Sequence, residues 1–332
     1  MAVVTLADLT AGPAAGFLPL VSLGPAFAGL TGGRRRTALI GVLSFVLRLV
    51  LGVYDGLFSG RRGYTALLSV AGVTVAGVVA AVMRQRREAE LANVRSIAEV
   101  AQRVLLRAVP RRAGRLSMAV SYTSAVADAR IGGDLYEVVA SPYGVRTLIG
   151  DVQGKGLEAV ETAAVVVGAF REAAYDEPDL AAVGARLERA LERHLPDEKF
   201  VTAVLAETGA GTMTLLNYGH PAPLVVRPDG GVAYLEPPGR ALPLGLTAHG
   251  EEGPEPYDVG FAPGDQVLFY TDGVTEARDG GGRFYPLDER AALLKEPDPQ
   301  AAVDAIRADL VAHTGGPLHD DAAMLLVRYR TS

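Results

Sequence analysis

The run YTALLSVAGVTVAGVVAAVM at residues 64–83 contains no charged residue. It is as long as a bilayer core demands of a helix, about 20 apolar residues. A chain that carries it must divide into a membrane part and a remainder. Residues 38–58, ALIGVLSFVLRLVLGVYDGLF, read as a second span. Its Arg48 and Asp55 lie about two helical turns apart, on one face, where they can pair. A further stretch at residues 9–30 is uncharged but punctuated by Pro13, Pro19 and Pro25. It is read as a kinked span or an interfacial piece. A signal peptide ending at AFA, residues 26–28, is the rival that a missing basic leader disfavours. Residues 1–83 therefore make a transmembrane region of two or three spans.

Charge supports the division. The first 83 residues hold only two acids, Asp8 and Asp55, yet the 332-residue chain has a net charge of −6. The acidic remainder argues against nucleic acid as a partner. With no cysteine in the chain, disulfides, thiol catalysis and cysteine-ligated zinc are excluded. Arg34, Arg35 and Arg36 precede the 38–58 span, and Arg84, Arg86 and Arg87 follow the 64–83 span. Two crossings separate these clusters, so they share a side, and only Arg61 and Arg62 lie on the other. The positive-inside rule puts the larger set, and everything after it, in the cytoplasm.

Residues 84–115 form a connector, mostly helical. Leu91, Val94, Ile97, Ala98, Ala101, Val104 and Leu105 recur at three- and four-residue steps until Pro110 ends the pattern. This stripe either pairs two copies as a homodimer or packs on the chain's own domain. Residues 116–330 read as that domain. LSMAVSYTS, a hairpin, FVTAVLA, TMTLLNY, PLVVRP, DQVLFYTDG and AAMLLVRY are strands separated by Gly, Pro and Asp turns. Helices are expected at 157–175, 180–195 and 300–313, and EARDGGGRF and EEGPEPYD as surface loops. Paired strands with helices in blocks indicate an α+β class.

The hairpin lies in ARIGGDLYEVVASPYGVRTLIGDVQGKG, residues 129–156. If its turn centres on Pro142 and Tyr143, the register that pairs Ala140 with Val145 also opposes Asp134 to Asp151. Cβ atoms of such a pair lie about 4.5–5.5 Å apart, and like charges there are destabilising. No lysine or arginine adjoins either aspartate. Either a cation lies between them, or they splay into solvent or cap the helix that starts after Asp151. Asp272 in LFYTDGV and Asp320–Asp321 in LHDDAAMLLV repeat the pattern at other strand ends. Each alone reads as a turn or cap residue. Four such positions on one rim suit hard cations, Mg²⁺ or Mn²⁺, which prefer oxygen ligands. Two such ions can hold a water for in-line phosphoryl displacement.

The ordered motifs GGDLY, GDVQGKG, NYGHPAPLVVRPDGG, LPLGL, LFYTDGVTEARD and DDAAMLLV resemble those of the PPM-type (PP2C-like) serine/threonine phosphatases. More narrowly, the chain is similar to the bacterial SpoIIE/RsbU branch, which dephosphorylates anti-sigma-factor antagonists. The resemblance covers about residues 96–329, including the connector's AEVAQRVLLRAVP. It implies an αββα sandwich of antiparallel sheets with two Mn²⁺ or Mg²⁺ ions at one end. It also implies Asp134, Asp151, Asp272 and Asp320 as the catalytic metal carboxylates, with the Val152 carbonyl as a further ligand. Asp320 is preferred to Asp321 as the first residue of the family's DD or DN pair. The helix beginning at Gly156 is implied as a switch element. Gln153 stands where eukaryotic relatives carry a histidine proposed as general acid, Tyr218 replaces the small residue of NAGH, and DDAA lacks the usual threonine. His220 is read as structural and Lys155 as a solvated loop residue. The expectation is a membrane-anchored, metal-dependent phosphatase that faces the cytoplasm and acts on a phosphorylated protein, such as an anti-sigma-factor antagonist. The alternative is a catalytically weak, phosphatase-like scaffold or binding module in a membrane signalling pathway.

Overall fold

The computed structural model describes residues 22–54, 56, 58, 61–123, 132–194, 199–246 and 253–331. Most of the 9–30 stretch lies outside the described residues, as does Asp55, the expected partner of Arg48. The chain divides into two compact units, Met1–Asn93 and Val94–Ser332.

The first unit is built from α1 (Leu23–Thr31), α2 (Arg34–Tyr54) and most of α3 (Arg61–Leu105), a continuous helix that runs on into the second unit. Two helical segments, Arg34–Tyr54 and Gly63–Leu105, are long and apolar enough to cross a membrane. Large apolar side chains point outward, as at Leu39 and Leu68. Small residues point inward: a Cβ on Gly29 would lie 2.9 Å from Gly77 Cα, and one on Gly41 2.0 Å from the Thr74 methyl. Close backbone approach through small residues is how helices pack in lipid, where burying hydrocarbon offers no advantage. The Thr37 hydroxyl donates to the Ala28 carbonyl at 3.0 Å. Arg84 Nη2 donates to the Gly32 carbonyl at 2.6 Å, and its Nη1 to that of Leu30. The two arginine clusters expected on one side thus occupy the same end of this unit. The helix α3 stops at Leu105, before Pro110. There the Leu105 carbonyl is taken by Arg171 Nη2 at 2.9 Å, a side chain in place of a further helical turn.

The second unit is a sandwich. One sheet has six strands in the order β1 (Arg112–Ala113), β2 (Leu116–Thr123), β11 (Ala322–Tyr329), β10 (Gln266–Tyr270), β7 (Leu224–Val226) and β8 (Val232–Tyr234). The other has five, β3 (Leu135–Ser141), β4 (Gly144–Val152), β5 (Val201–Thr208), β6 (Thr212–Tyr218) and β9 (Tyr257–Gly260), in chain order. Every neighbouring pair is antiparallel. Strand side chains alternate between faces, so each sheet can serve two cores. On β4, Ile149 enters the core between the sheets, with Met118, Val204, Phe269 and Leu325. Its neighbour Leu148 faces the opposite way, into Phe170 and Leu187 of α4 (Leu157–Asp176) and α5 (Leu180–His194). On the far side, Leu268 and Leu326 meet Ile306 and Leu310 of α7 (Pro299–Thr314). The result is the expected α+β class with αββα layering.

The hairpin has the expected register. Ser141 pairs with Gly144 and Ala140 with Val145, and the ladder ends at Leu135–Gly150. Asp134 and Asp151 are the next positions beyond it. One loop assignment is corrected: Tyr257 and Asp258 of EEGPEPYD begin β9, which pairs with β6 through Leu215 and Thr214. An exposed edge strand of four residues carries no apolar run to announce it.

At the other end of the same hairpin, Arg146 is fully buried. Its Nε donates to Glu207 Oε2 on β5 at 2.6 Å, Nη1 to the carbonyls of Ala174 (3.1 Å) and Glu177 (2.7 Å), and Nη2 to that of Pro178 (3.2 Å). The planar fork thus satisfies carbonyls at and just beyond the C-terminus of α4, where the helix offers them no partners. It also lies 4.8 Å from the Tyr143 ring centroid. Substituting Arg146→Met should lower stability by about 3–5 kcal/mol, as expected when one partner of a buried charge network is removed. Arg146→Lys should recover only part of the loss, because an ammonium cannot fork. Urea midpoints of the three proteins measure the difference.

Candidate metal centre

Four chain segments bring carboxylates to one end of the sandwich. Asp134 immediately precedes β3, and Asp151 is the penultimate residue of β4, both in the five-stranded sheet. Asp272 follows β10 and opens the single-turn helix α6 (Asp272–Thr275); Asp320 and Asp321 lead into β11, both in the six-stranded sheet. The structure therefore gathers all four predicted aspartate positions, together with Asp321.

Their electrostatics confirm the convergence. Burial pushes the Asp134 carboxyl well above its ordinary range, and the negative charges of Asp151, Asp321 and Asp272 push it further. The Thr271 hydroxyl works the other way. It accepts from the Ala323 amide at 2.9 Å and so turns its own proton to Asp134 Oδ2 at 2.8 Å. Asp151 is raised to about 7, first by burial and then by Asp272 and Asp320, with the neighbouring Asp134 carboxyl opposing the rise. Asp272 is also raised, by burial, then Glu276 and Asp320. Asp321 is buried and hydrogen-bonded by Tyr122, whose hydroxyl accepts from Gln102 Nε2 at 2.8 Å.

Glycines make this crowding feasible. A Cβ on Gly132 would stand 1.3 Å from Asp321 Oδ2, and one on Gly273 would stand 1.8 Å from the Asp321 carbonyl oxygen. A Cβ on Gly133 would meet the Val152 carbonyl at 2.4 Å and Asp151 Oδ1 at 2.9 Å. Val152 also donates its amide to the Gly133 carbonyl at 3.2 Å. Its carbonyl and the Asp151 carboxylate thus both crowd the Gly133 backbone, in clearance that any side chain would fill.

The residues fit hard cations by chemistry: carboxylates, a backbone carbonyl and mutual repulsion that positive charge would relieve. Among the described residues, no three acidic or histidine side chains close on one point as they stand. Asp320 faces Lys155 instead, whose Nζ lies 2.6 Å from Asp320 Oδ1. The lysine read as solvated is therefore paired with an aspartate from the opposite sheet. Nothing local could announce that partner, which lies 165 residues away.

His220 is buried and bridges the two sheets beneath the carboxylates. Its Nε2 is 3.0 Å from the Tyr270 carbonyl, which can only accept, so Nε2 carries the proton and Nδ1 accepts from Thr202 Oγ1 at 2.9 Å. Burial lowers its pKa to about 4, so the ring is neutral near pH 7. Asn217 clamps the His220 backbone through both amide atoms. Tyr218, the departure within NYGH, fits because residue 184 of α5 is glycine: a Cβ there would lie 2.1 Å from the Tyr218 hydroxyl. Beside Asp320 opens a cleft of about 630 Å³ lined by Gly273, Glu276, Arg278 and His319. One wall is a loop tightened by Asp279, which accepts from the amides of Gly281 and Arg283.

The family described as Stage II sporulation protein E (SpoIIE) matches residues 141–330. The chain is 25% identical over 205 residues to the phosphoserine phosphatase RsbU of Bacillus subtilis, covering 60% of this chain and only 60% of that relative's length. The SiaA-PP2C domain of Pseudomonas aeruginosa has the same fold, with a TM-score of 0.59 at 19% identity over 74% of this chain and 98% of that one. So does the catalytic domain of the serine/threonine phosphatase PstP of Mycobacterium tuberculosis, solved with 2 manganese ions, with a TM-score of 0.50 at 15% identity over 64% of this chain and 97% of that one. The chain belongs to the SpoIIE family and carries the fold of the PP2C-type phosphatases.

Proposed function

We propose that this chain is a membrane-anchored, metal-dependent phosphatase that removes phosphate from serine or threonine of a regulatory phosphoprotein, such as an anti-sigma-factor antagonist. The observation that carries the reading is the convergence of aspartates from both sheets on one rim, where burial and neighbouring carboxylates raise the pKa of Asp134, Asp151 and Asp272. The relative named phosphoserine phosphatase and the manganese-bound domain of the same fold support it. Asp134, Asp151, Asp272 and Asp320 would hold two Mn²⁺ or Mg²⁺ ions together with the Val152 carbonyl. Such ions supply an activated water and charge neutralisation for in-line displacement at phosphorus. The chain's own residues do the rest. Thr271 aims Asp134, and the neutral His220 fixes the spacing of the sheets without exchanging protons near pH 7. The cleft beside Asp320 would receive residues flanking the phosphorylated side chain. With Gln153 at the position of the eukaryotic histidine, the leaving oxygen takes its proton from solvent. The two apolar helical segments and the shared end of the arginine clusters support anchoring, with the phosphatase in the cytoplasm.

The full chain in detergent, given Mn²⁺, should hydrolyse a phosphoserine peptide and stop on adding EDTA; full turnover in chelator overturns the metal reading. Asp151→Asn and Asp272→Asn should each reduce turnover by more than the roughly 10–100-fold typical of losing a group that only orients a ligand.

The same carboxylates set a pH signature. Folding raises the pKa of Asp134 and Asp151 above unfolded values, so the metal-free protein binds extra protons when folded. The stability that Asp151 confers in this way is fully present at low pH, falls as pH climbs from about 4, and is lost above about 7, and Asp134 acts in the same direction. Asp151→Asn should flatten the decline. With Mn²⁺ present the trend should reverse, because ligands must shed protons to bind metal. Melting temperatures taken with and without Mn²⁺ across that range read both slopes.

Orientation is tested by fusions at the C-terminus. A fluorescent protein there should fluoresce and a secreted alkaline phosphatase reporter should stay silent; the opposite pattern overturns the arginine argument.

A further inference from the structure

Lys155 stands apart from the other described cations near the rim. Among the described residues it is the one lysine or arginine in an ion pair with any of the five clustered aspartates. It crosses from the loop after β4 to Asp320 before β11, joining the two sheets at their open end, with Nζ at 2.6 Å from Oδ1. The same Oδ1 accepts the Asp321 amide at 2.9 Å. Lys155 also bears on Asp272, whose charge it favours. Glycines flank it on both sides. Gly154 and Gly156 on either side have φ of 98° and 90°, a left-handed region that favours glycine. A Cβ at either would meet nothing within 4 Å, so neither glycine is there for want of room. The helix α4 starts directly after, with no side-chain cap at Gly156.

We propose that Lys155 belongs to the metal site as a tethered cation: its ammonium holds the Asp320 carboxylate and competes with a divalent ion for it, and filling the site swings Lys155 out on its two glycines. The proposal rests on the metal reading above. Physically it follows from sign and place. A carboxylate oxygen already facing an ammonium is a poorer ligand, and an ion arriving beside that ammonium is repelled by it. A lysine on a flexible four-carbon stem can leave at little cost. The half-exposed setting of the pair keeps the competition modest, on the scale of a surface ion pair. It therefore tunes the metal concentration at which the site fills and does not block it.

The test is Mn²⁺ binding, which needs no turnover. Full-length chain in detergent, stripped of metal, is titrated with Mn²⁺ by calorimetry at low salt. Lys155→Gln should bind one of its ions about two- to fivefold more tightly than wild type. The difference should shrink in roughly 0.5 M NaCl, where exposed charges are screened. Lys155→Arg, which keeps the charge, should stay near wild type. Equal affinity in wild type and Lys155→Gln, or weaker binding in Lys155→Gln, overturns the proposal. A wild type that takes up no Mn²⁺ is a separate failure: it overturns the metal reading, and this proposal with it.

Discussion

Mutual repulsion among carboxylates at one end of the sandwich is the constraint around which the second unit is arranged. Asp134 is almost wholly buried, and Asp151, Asp272 and Asp321 all act on it. Left alone, such a group would be expected to protonate or splay apart. The surrounding structure prevents splaying. Thr271 is locked to Ala323 through both amide and hydroxyl before it reaches Asp134. His220 ties Thr202, which pairs with Asp151 across the ladder, to the carbonyl two residues before Asp272. The sheets are thus joined at the rim by neutral hydrogen bonds that hold the buried carboxylates of Asp134 and Asp151 close together.

Arg146 shows what the same fold does with a charge it means only to bury. That guanidinium has a carboxylate and three carbonyls as acceptors and an aromatic ring beside it. A buried charge satisfied so fully has no capacity left for a ligand. At the opposite end of the same hairpin Asp134 accepts from one hydroxyl, that of Thr271, and otherwise faces the carboxylates of Asp151, Asp272 and Asp321. The contrast separates a charge that is fully satisfied from charges that are crowded together.

Much of this was legible in the sequence, for local reasons. The hairpin register followed from a two-residue turn and period-two alternation, which fix pairing strongly when both faces are buried. The three long helices of the domain were legible from their apolar spacing. What was hidden depended on partners far along the chain. Lys155 pairs with Asp320, and Gly184 makes space for Tyr218. The edge strand β9 was hidden for a different reason: pairing with β6 defines it, while only Tyr257 and Val259 of its four residues are half-buried. Asp321 was ranked below Asp320 by motif position alone. The fold in fact buries Asp321 among the other carboxylates and leaves Asp320 at the solvent edge.

Gly132, Gly133 and Gly273 have no left-handed backbone to explain them. They are glycine because oxygen atoms occupy the places their side chains would take. This bears on how inactive relatives should be recognised. A chain that kept every aspartate but carried alanine at the position of Gly132 would look intact by its acids, yet its Asp321 carboxylate would have been evicted. The fingerprint of this site lies as much in the residues that are absent beyond Cα as in those that carry charge.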